Sequence, residues 1–509
     1  MPPSPQRANR SVDADFASLT LDECADAALA TGVRGGAEHV EIHIQRIRHG
    51  EIELRDSHVE GASDTSAFGL AVRVVKDGVW GFAAADDITT DSAHALADRA
   101  LAIAELSRPL ATRRVVLAPE PAHGTHEWVS AYEIDPFDVP VDQRIALLRE
   151  RSDQLLSHER VQHVDTAAMY IKEQKYYANN SGTRTTQQRI RLQAEWEAIT
   201  VDAESGEFES MRTCAPPAGR GWEYLSDGVW NWTDEIAQLP DQLYEKLRAP
   251  SIDAGRYDLV IDPTNLWLTI HESVGHATEL DRALGYEANY AGTSFATPDQ
   301  LGSFAYGSPL MHVTGDRVVE HGLSTVAFDD DGVAAQSWDL IRDGVLVGYQ
   351  VDRATAGIAG LSRSNGCAFS DGPHSAPIQR MPNVSLLPDP VGPDTASLIA
   401  GVEDGIYIIG DNSWSIDMAR YNFQFTAQRF FRIKSGRLVG QVRDVAYQSR
   451  TPDFWASMIA VGGPSTYLLA GALNCGKAQP DQTAPVSHGA PSAVFANINV
   501  LNTRGEAGQ

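Results

Sequence analysis

Cysteine is scarce in this chain, four residues in 509, and Cys24, Cys214, Cys367 and Cys475 stand far apart without a Cys-x-x-Cys pair. That excludes a disulfide framework and suits a reducing cytoplasm. Long apolar runs are also missing: nowhere do the roughly eighteen successive apolar residues needed to cross a bilayer occur. Met1 to Val12 holds arginines and prolines but no apolar segment, so it does not read as a secretory signal. Basic residues are the third shortage, with 41 Lys and Arg against 68 Asp and Glu and a net charge of -27. Such a field repels nucleic acid and anionic membrane, and neither is an expected partner. No repeat of solenoid period is present. The expected location is the cytoplasm.

What is present is a globular composition, 43% hydrophobic and 21% charged, on a chain long enough for two or three cores. Leu21 to Thr31 has helical spacing, and Cys24 falls on its apolar side as core packing. Val40, Ile42, Ile44, Ile52 and Leu54 then alternate with polar residues around His49-Gly50, the pattern of a hairpin. His39, His43, His49 and His58 fall with the charged residues and read as solvated. A second hairpin is expected at Asp77-Gly78, with helices from Thr90 to about Leu106 and from Val141 to Leu156. A helix from Asp234 to Leu247 contains Pro240, which should kink or divide it.

The stretch Arg248 to Gly255 punctuates the chain and sets a domain boundary near residue 250. Beyond it, Tyr257 to Asp262 reads as a strand delivering Pro263 into a helix, and from about residue 300 the pattern is almost wholly strand and turn. Gln479 to Pro491 is rich in loop formers. The expected fold class is α+β. Residues 1–18 form a disordered tail, 19–250 an N-terminal mixed α/β domain with an antiparallel sheet and flanking helices, and 251–509 a largely antiparallel β domain carrying a metal-binding helix.

That helix contains His271-Glu-Ser-Val-Gly-His276. Two imidazoles and a carboxylate are the groups a zinc hydrolase needs. In His-Glu-x-x-His the histidines lie four apart, about 40° apart on one helical face. Here they lie five apart, which a regular helix would splay by about 140°. A π-bulge absorbs the extra residue, and Gly275, having no Cβ, eases the distortion. On these residues alone the stretch is a metal site or a structural helix with two polar edges. The third ligand is equally open among Glu279, Asp281, Cys214, Cys367 and Cys475. Cys475 lies in Leu473-Asn-Cys-Gly-Lys477, which reads as a tight turn with Lys477 favouring the thiolate.

Four marks in order resemble the TldD/PmbA family of modulators of gyrase-related toxin and microcin processing. They are His271 to His276, Asp329-Asp-Asp-Gly332 with the hairpin Leu340 to Tyr349, Arg380-Met-Pro-Asn383, and Asn474-Cys-Gly-Lys477. The chain is similar to the TldD-like, metal-bearing branch. Ala478 to Gln482 lacks the glycine-rich run of that pattern, and Ser364 to Cys367 matches it only partly. The resemblance implies His271, His276 and Cys475 as ligands of a zinc ion and Glu272 as the catalytic carboxylate.

The function so implied is a zinc metallopeptidase acting on unfolded or short peptides, with Glu272 as general base toward zinc-bound water. The resemblance also implies a heteromer with a PmbA-like subunit, and a dimer of some kind, a homodimer included, is expected. An extended peptide could be held by strand addition to the β domain. Glu279 and Asp281 either orient the histidines or are solvated helix acids, and Arg380 and Asn383 either position peptide or make structural hydrogen bonds. Two rival functions are a noncatalytic, zinc-stabilised interaction partner in a TldD/PmbA-type complex and a zinc amidohydrolase of small metabolites.

Overall fold

The computed structural model describes residues 11–204, 206–479 and 481–506. Seven strands between residues 39 and 212 form one sheet. Its order is Val79–Ala85, His58–Lys76, His39–Arg55, His163–Asn179, Thr183–Val201 and Gly124–Val129, with Phe208–Arg212 also on Thr183–Val201. All neighbours are antiparallel except Gly124–Val129, which runs parallel to Thr183–Val201.

Alternation sets what each face meets. Val40, Ile42, Ile44, Leu70 and Val72 pack under the helices Leu21–Arg34 and Thr90–Ser107, and Cys24 is buried among them. Ile52, Leu54, Val164 and Trp196 pack under Val141–Leu156 and Trp232–Arg248. The opposite, polar face is covered by the second half of the chain. His39 and His43 are therefore buried, not solvated: both contact the Glu41 carboxylate, at 2.8 and 3.0 Å. Arg73 reaches from Glu41 to Asp331, Lys175 donates to Asp330 at 2.7 Å, and Arg191 Nε donates to the Leu323 carbonyl at 2.9 Å. The alternation assigns these residues to the right face; what covers that face lies more than a hundred positions away.

His49-Gly50 is no turn: the strand runs to Arg55, and the reversal falls at Asp56-Ser57, both with positive φ. Gly50 instead admits a neighbour, since a Cβ there would sit 2.0 Å from the Tyr170 ring on the adjacent strand. Pro240 does not divide its helix, which is continuous from Trp232 to Arg248. Part of the stretch read as a disordered tail is ordered, for Ala14–Ala17 is a short helix that buries Phe16 completely. Residues 1–10 lie outside the described residues.

In the second half, Asp404–Ile416, Gly255–Ile261, Ala493–Asn502, Val445–Arg450 and Asn422–Lys434 pair in that order, and Asn422–Lys434 pairs back onto Asp404–Ile416. The five strands close on themselves. The sheet is not wholly antiparallel, because Gly255–Ile261 and Asp404–Ile416 are parallel. Short helices at Arg353–Ile358, Thr395–Ala400 and Thr451–Ala456 also interrupt the expected run of strands. The core here joins Leu259, Ile261, Ile406, Phe425 and Phe495 to Leu266, Ile270 and Val274 of the helical segment. Gln482–Ala490, read as loop, is a strand paired with Leu468–Lys477. Among the described residues no helix is long and apolar enough to cross a membrane.

Candidate metal centre

Asp262 caps the helix Pro263–Ile270 by accepting from Thr264 N at 3.0 Å, and Pro263 occupies the first position, where no N–H is needed. The next five residues, His271–Gly275, form a π turn, followed by a tight 3₁₀ turn at His276–Thr278. Side chains collect carbonyls that this irregular ladder would leave unpaired. Tyr306 donates to Ser273 O, Thr278 Oγ1 to Val274 O at 2.8 Å, and Gln350 to Gly275 O. Gly275 itself has ordinary helical angles, φ -53° and ψ -61°. It is needed for space: a Cβ there would lie 2.6 Å from Met381 Sδ.

The π turn brings the imidazoles of His271 and His276 to a centroid separation of 4.6 Å. Cys475 joins them, its Sγ 3.7 Å from His276 Nε2, and one donor atom from each of the three lies within 4.8 Å of the others. All three are buried. Cys475 is not on a turn; it lies in the strand Leu468–Lys477 just past a register shift between Ala472 and Cys475, an irregularity of the kind that re-aims a side chain. Among the other candidates, Cys214 and Cys367 are not part of the cluster. Cys214 accepts from Arg429 at 3.4 Å, and Cys367 is fully buried elsewhere.

Hydrogen bonds assign the imidazole protons. His488 Nδ1 lies 2.9 Å from the Val384 carbonyl, which can only accept, so Nδ1 carries the proton. His488 Nε2, 2.7 Å from His271 Nδ1, is then an acceptor, since burial holds His488 neutral, far below its ordinary titration range. His271 must donate from Nδ1, leaving its Nε2 lone pair free. His276 donates from Nδ1 to Glu279 at 2.9 Å, again leaving Nε2. Burial pushes both imidazoles toward the neutral form that binds metal. Burial opposes the Cys475 thiolate; His276, when it carries a second proton, and the Arg380 guanidinium favour it and together hold the thiol below its ordinary range. Two imidazole nitrogens and a sulfur disposed toward thiolate fit a zinc-type donor set.

The surrounding residues sort clearly. Glu279 orients His276 and is itself held by Arg282 Nε at 2.9 Å and Lys477 at 3.0 Å. Asp281 reaches neither histidine and pairs with Lys477 at 2.8 Å. Lys477, expected to favour the thiolate, is instead committed to these carboxylates, and Arg380, whose guanidinium donates to the Cys475 carbonyl, takes that role. Asn383 donates to Thr325 Oγ1 at 3.0 Å and accepts from Ser324 N at 3.0 Å, both structural bonds. Glu272 is buried, and its Oε2 accepts from Arg420 Nη1 at 3.2 Å. Local sequence carries no signal for His488 or Arg420: His488 falls among loop-forming residues, and Arg420 follows Asp417 in a turn with φ 64°, with no periodicity.

Glu272, His271, His276 and Cys475 face one cavity of about 550 Å³. Its far wall comes from the first sheet, through Glu51, Met169 and Gln193, and one side is the strand from Ala470 to Gly476. That strand pairs only with Gln482–Ala490, so its second edge is unpaired among the described residues.

Fold and site thus define an α+β chain with a buried His-His-Cys cluster set against a carboxylate in a cavity shared by both halves. The PmbA/TldA metallopeptidase C-terminal domain matches residues 254–502, and the PmbA/TldA metallopeptidase domain 1 matches residues 40–104. The chain belongs to the PmbA/TldD family. It is 26% identical over 470 residues to a metalloprotease of Methanothermobacter thermautotrophicus, covering 92% of this chain and 96% of the relative. A metalloprotease TldD homolog of Haemophilus influenzae is 24% identical over 474 residues, with 92% and 93% covered. The crystal structure of TldE from Thermococcus kodakarensis superposes with a TM-score of 0.71 at 16% identity, covering 94% and 99%.

Proposed function

We propose that this chain is a zinc-dependent metallopeptidase of the TldD-like branch that hydrolyses short or unfolded peptides, with residues 19–250 and 251–509 as its two domains. The observation that carries this reading is the meeting of three buried donors within 4.8 Å beside a buried carboxylate that faces the same cavity. His271, His276 and Cys475 would hold the metal. When bound, zinc supplies Lewis-acid polarisation of a peptide carbonyl and stabilises the charge that develops on it.

Glu272 handles the proton. Arg420 engages Oε2, so Oε1 is the atom that accepts a proton from the attacking water and returns it to the leaving amine. Arg420 keeps the carboxylate oriented toward the cavity. The unpaired edge from Ala470 to Gly476 supports strand addition, in which backbone groups hold an extended peptide and side chains matter little. We assign the working form to a homodimer or to a heteromer with a PmbA-like subunit.

The test is cleavage of an unstructured peptide library by wild type and Glu272→Gln, with metal content measured in both. We expect the variant to keep its metal and to cut at least about 100-fold more slowly. Equal rates would remove Glu272 from the reaction. Failure of both forms to cut, even with a PmbA-like partner added, would favour a noncatalytic interaction protein. Cys475→Ala should lose metal; unchanged content would remove Cys475 from the ligand set.

A further inference from the structure

Between the polar face of the first sheet and the second half of the chain lies a small internal cavity of about 10 Å³, remote from the metal centre in its lining. Glu173, Lys175, Gln187, Arg189, Arg317 and Asp330 supply its polar wall. A space of this size accommodates about one water-sized particle.

The acceptors around it are already committed. Glu173 takes Arg189 Nε at 2.8 Å and both terminal nitrogens of Arg191 at 3.2 Å. Asp330 takes Lys175 Nζ and Ser370 N, each at 2.7 Å. The Gln187 amide is spent on the backbone of Ala327 and Phe328. Arg317, only 2% exposed, is left over. Its Nε is sealed from solvent without a partner, and among the described residues its guanidinium forms no hydrogen bond or ion pair.

The charges do not balance either. Three cations, Lys175, Arg189 and Arg317, line the cavity against two carboxylates, Glu173 and Asp330, leaving one positive charge in excess. No carboxylate contacts Arg317 among the described residues. Burial pushes the Cys367 thiol up, so it stays neutral, and the Asp329 carboxylate is taken up by Asp331 N, Val333 N and Ala368 N at 3.0, 2.8 and 2.9 Å. Burial and the adjacent Arg189 also disfavour the charge on Arg317, which a guanidinium nevertheless retains. A buried, unpaired guanidinium is among the least stable arrangements a protein interior can hold.

We propose that this cavity is a binding site for one halide-sized monovalent anion, chloride in the cell, held by Arg317 together with Arg189. A water molecule would satisfy the N–H groups but leave the charge. Phosphate or a carboxylate exceeds the space. Arg189 belongs to the first sheet, and Arg317 directly follows the strand Val313–Asp316, so the anion ties the two halves of the chain together.

The probe is bromide. Crystals of the full wild-type chain soaked in sodium bromide should show an anomalous-difference peak between Arg317 and Arg189. Its absence, when surface bromides are visible in the same crystal, overturns the proposal. In solution, replacing gluconate by chloride at constant ionic strength should raise Tm by about 2 °C or more for wild type. Arg317→Met should abolish that rise, and Arg317→Lys should retain part of it. A rise of the same size in Arg317→Met would overturn the assignment to Arg317, and no rise in wild type would overturn the site. The diffraction measurement needs no variant and stands if Arg317→Met does not fold.

Discussion

His488 Nε2 lies 2.7 Å from His271 Nδ1, and the Val384 carbonyl behind it settles which of the two imidazoles donates. One backbone oxygen thus points a lone pair of His271 toward Cys475 and His276. His488→Ala should weaken metal binding by about 10- to 100-fold, the usual effect of losing the partner that orients a ligand. His488→Gln should recover part, since its amide oxygen can accept the same proton. Competition with a chromophoric chelator measures both, and wild-type affinity in His488→Ala would end the orienting role.

Gly275 is required by its neighbours rather than by its own backbone angles. A Cβ would lie 2.6 and 2.9 Å from the Met381 thioether and 3.5 Å from His488 Cε1. Gly275→Ala should therefore destabilise the chain by about 1–3 kcal/mol through overpacking. Adding Met381→Ala should offset part of that loss, a coupling that urea melts of the single and double variants would reveal. Additive losses would argue against the contact.

Arg420 holds Glu272 from a turn whose other end is fixed by Asp417, which accepts from Ala419 N at 3.0 Å and Tyr421 N at 2.8 Å. In Arg420→Met the carboxylate loses its positioning partner. Turnover of a cleaved peptide should fall about 100-fold with metal content unchanged. Arg420→Lys should lie between, because an ammonium keeps the charge but not the planar fork. A variant that cuts normally would show that Glu272 needs no such partner.

Glu173 carries a pH signature. Burial resists its ionisation, but Arg189, Lys175 and Arg191 overrule burial and hold the carboxyl far below its ordinary value of 4.5. The folded state thus binds this proton less readily than the unfolded chain. The stabilisation is complete above about pH 4.5 and is lost as pH falls below it. At pH 7, Glu173→Gln should cost roughly 3–5 kcal/mol by stranding two guanidiniums. Urea unfolding at pH 7 and pH 3.5 should show the gap between wild type and variant narrowing at the lower pH. A gap independent of pH would contradict the assignment.

Much of the metal segment is legible locally. Pro263 at a helix start, five-residue histidine spacing and a glycine before the second histidine together specify a π turn, and the structure contains one at His271–Gly275. The same local reading fails at Gly50 and Gln482–Ala490 for one reason. Glycine, proline and serine there answer to a partner strand: Gly50 makes room for Tyr170, and Gln482–Ala490 pairs with Leu468–Lys477. Composition alone reads such residues as turns.

By itself the sequence determined the features whose physics is short in range: most helices, the alternation that divides the first sheet into apolar and polar faces, and the off-register turn that lets two imidazoles share one side. Only the tertiary structure decided what covers the polar face, which thiol meets the histidines and which nitrogens are left free. Those outcomes depend on groups far apart in the chain, Cys475 being 199 positions from His276 and His488 217 from His271. No periodicity encodes such meetings; they are set by packing two halves of the chain around one cavity.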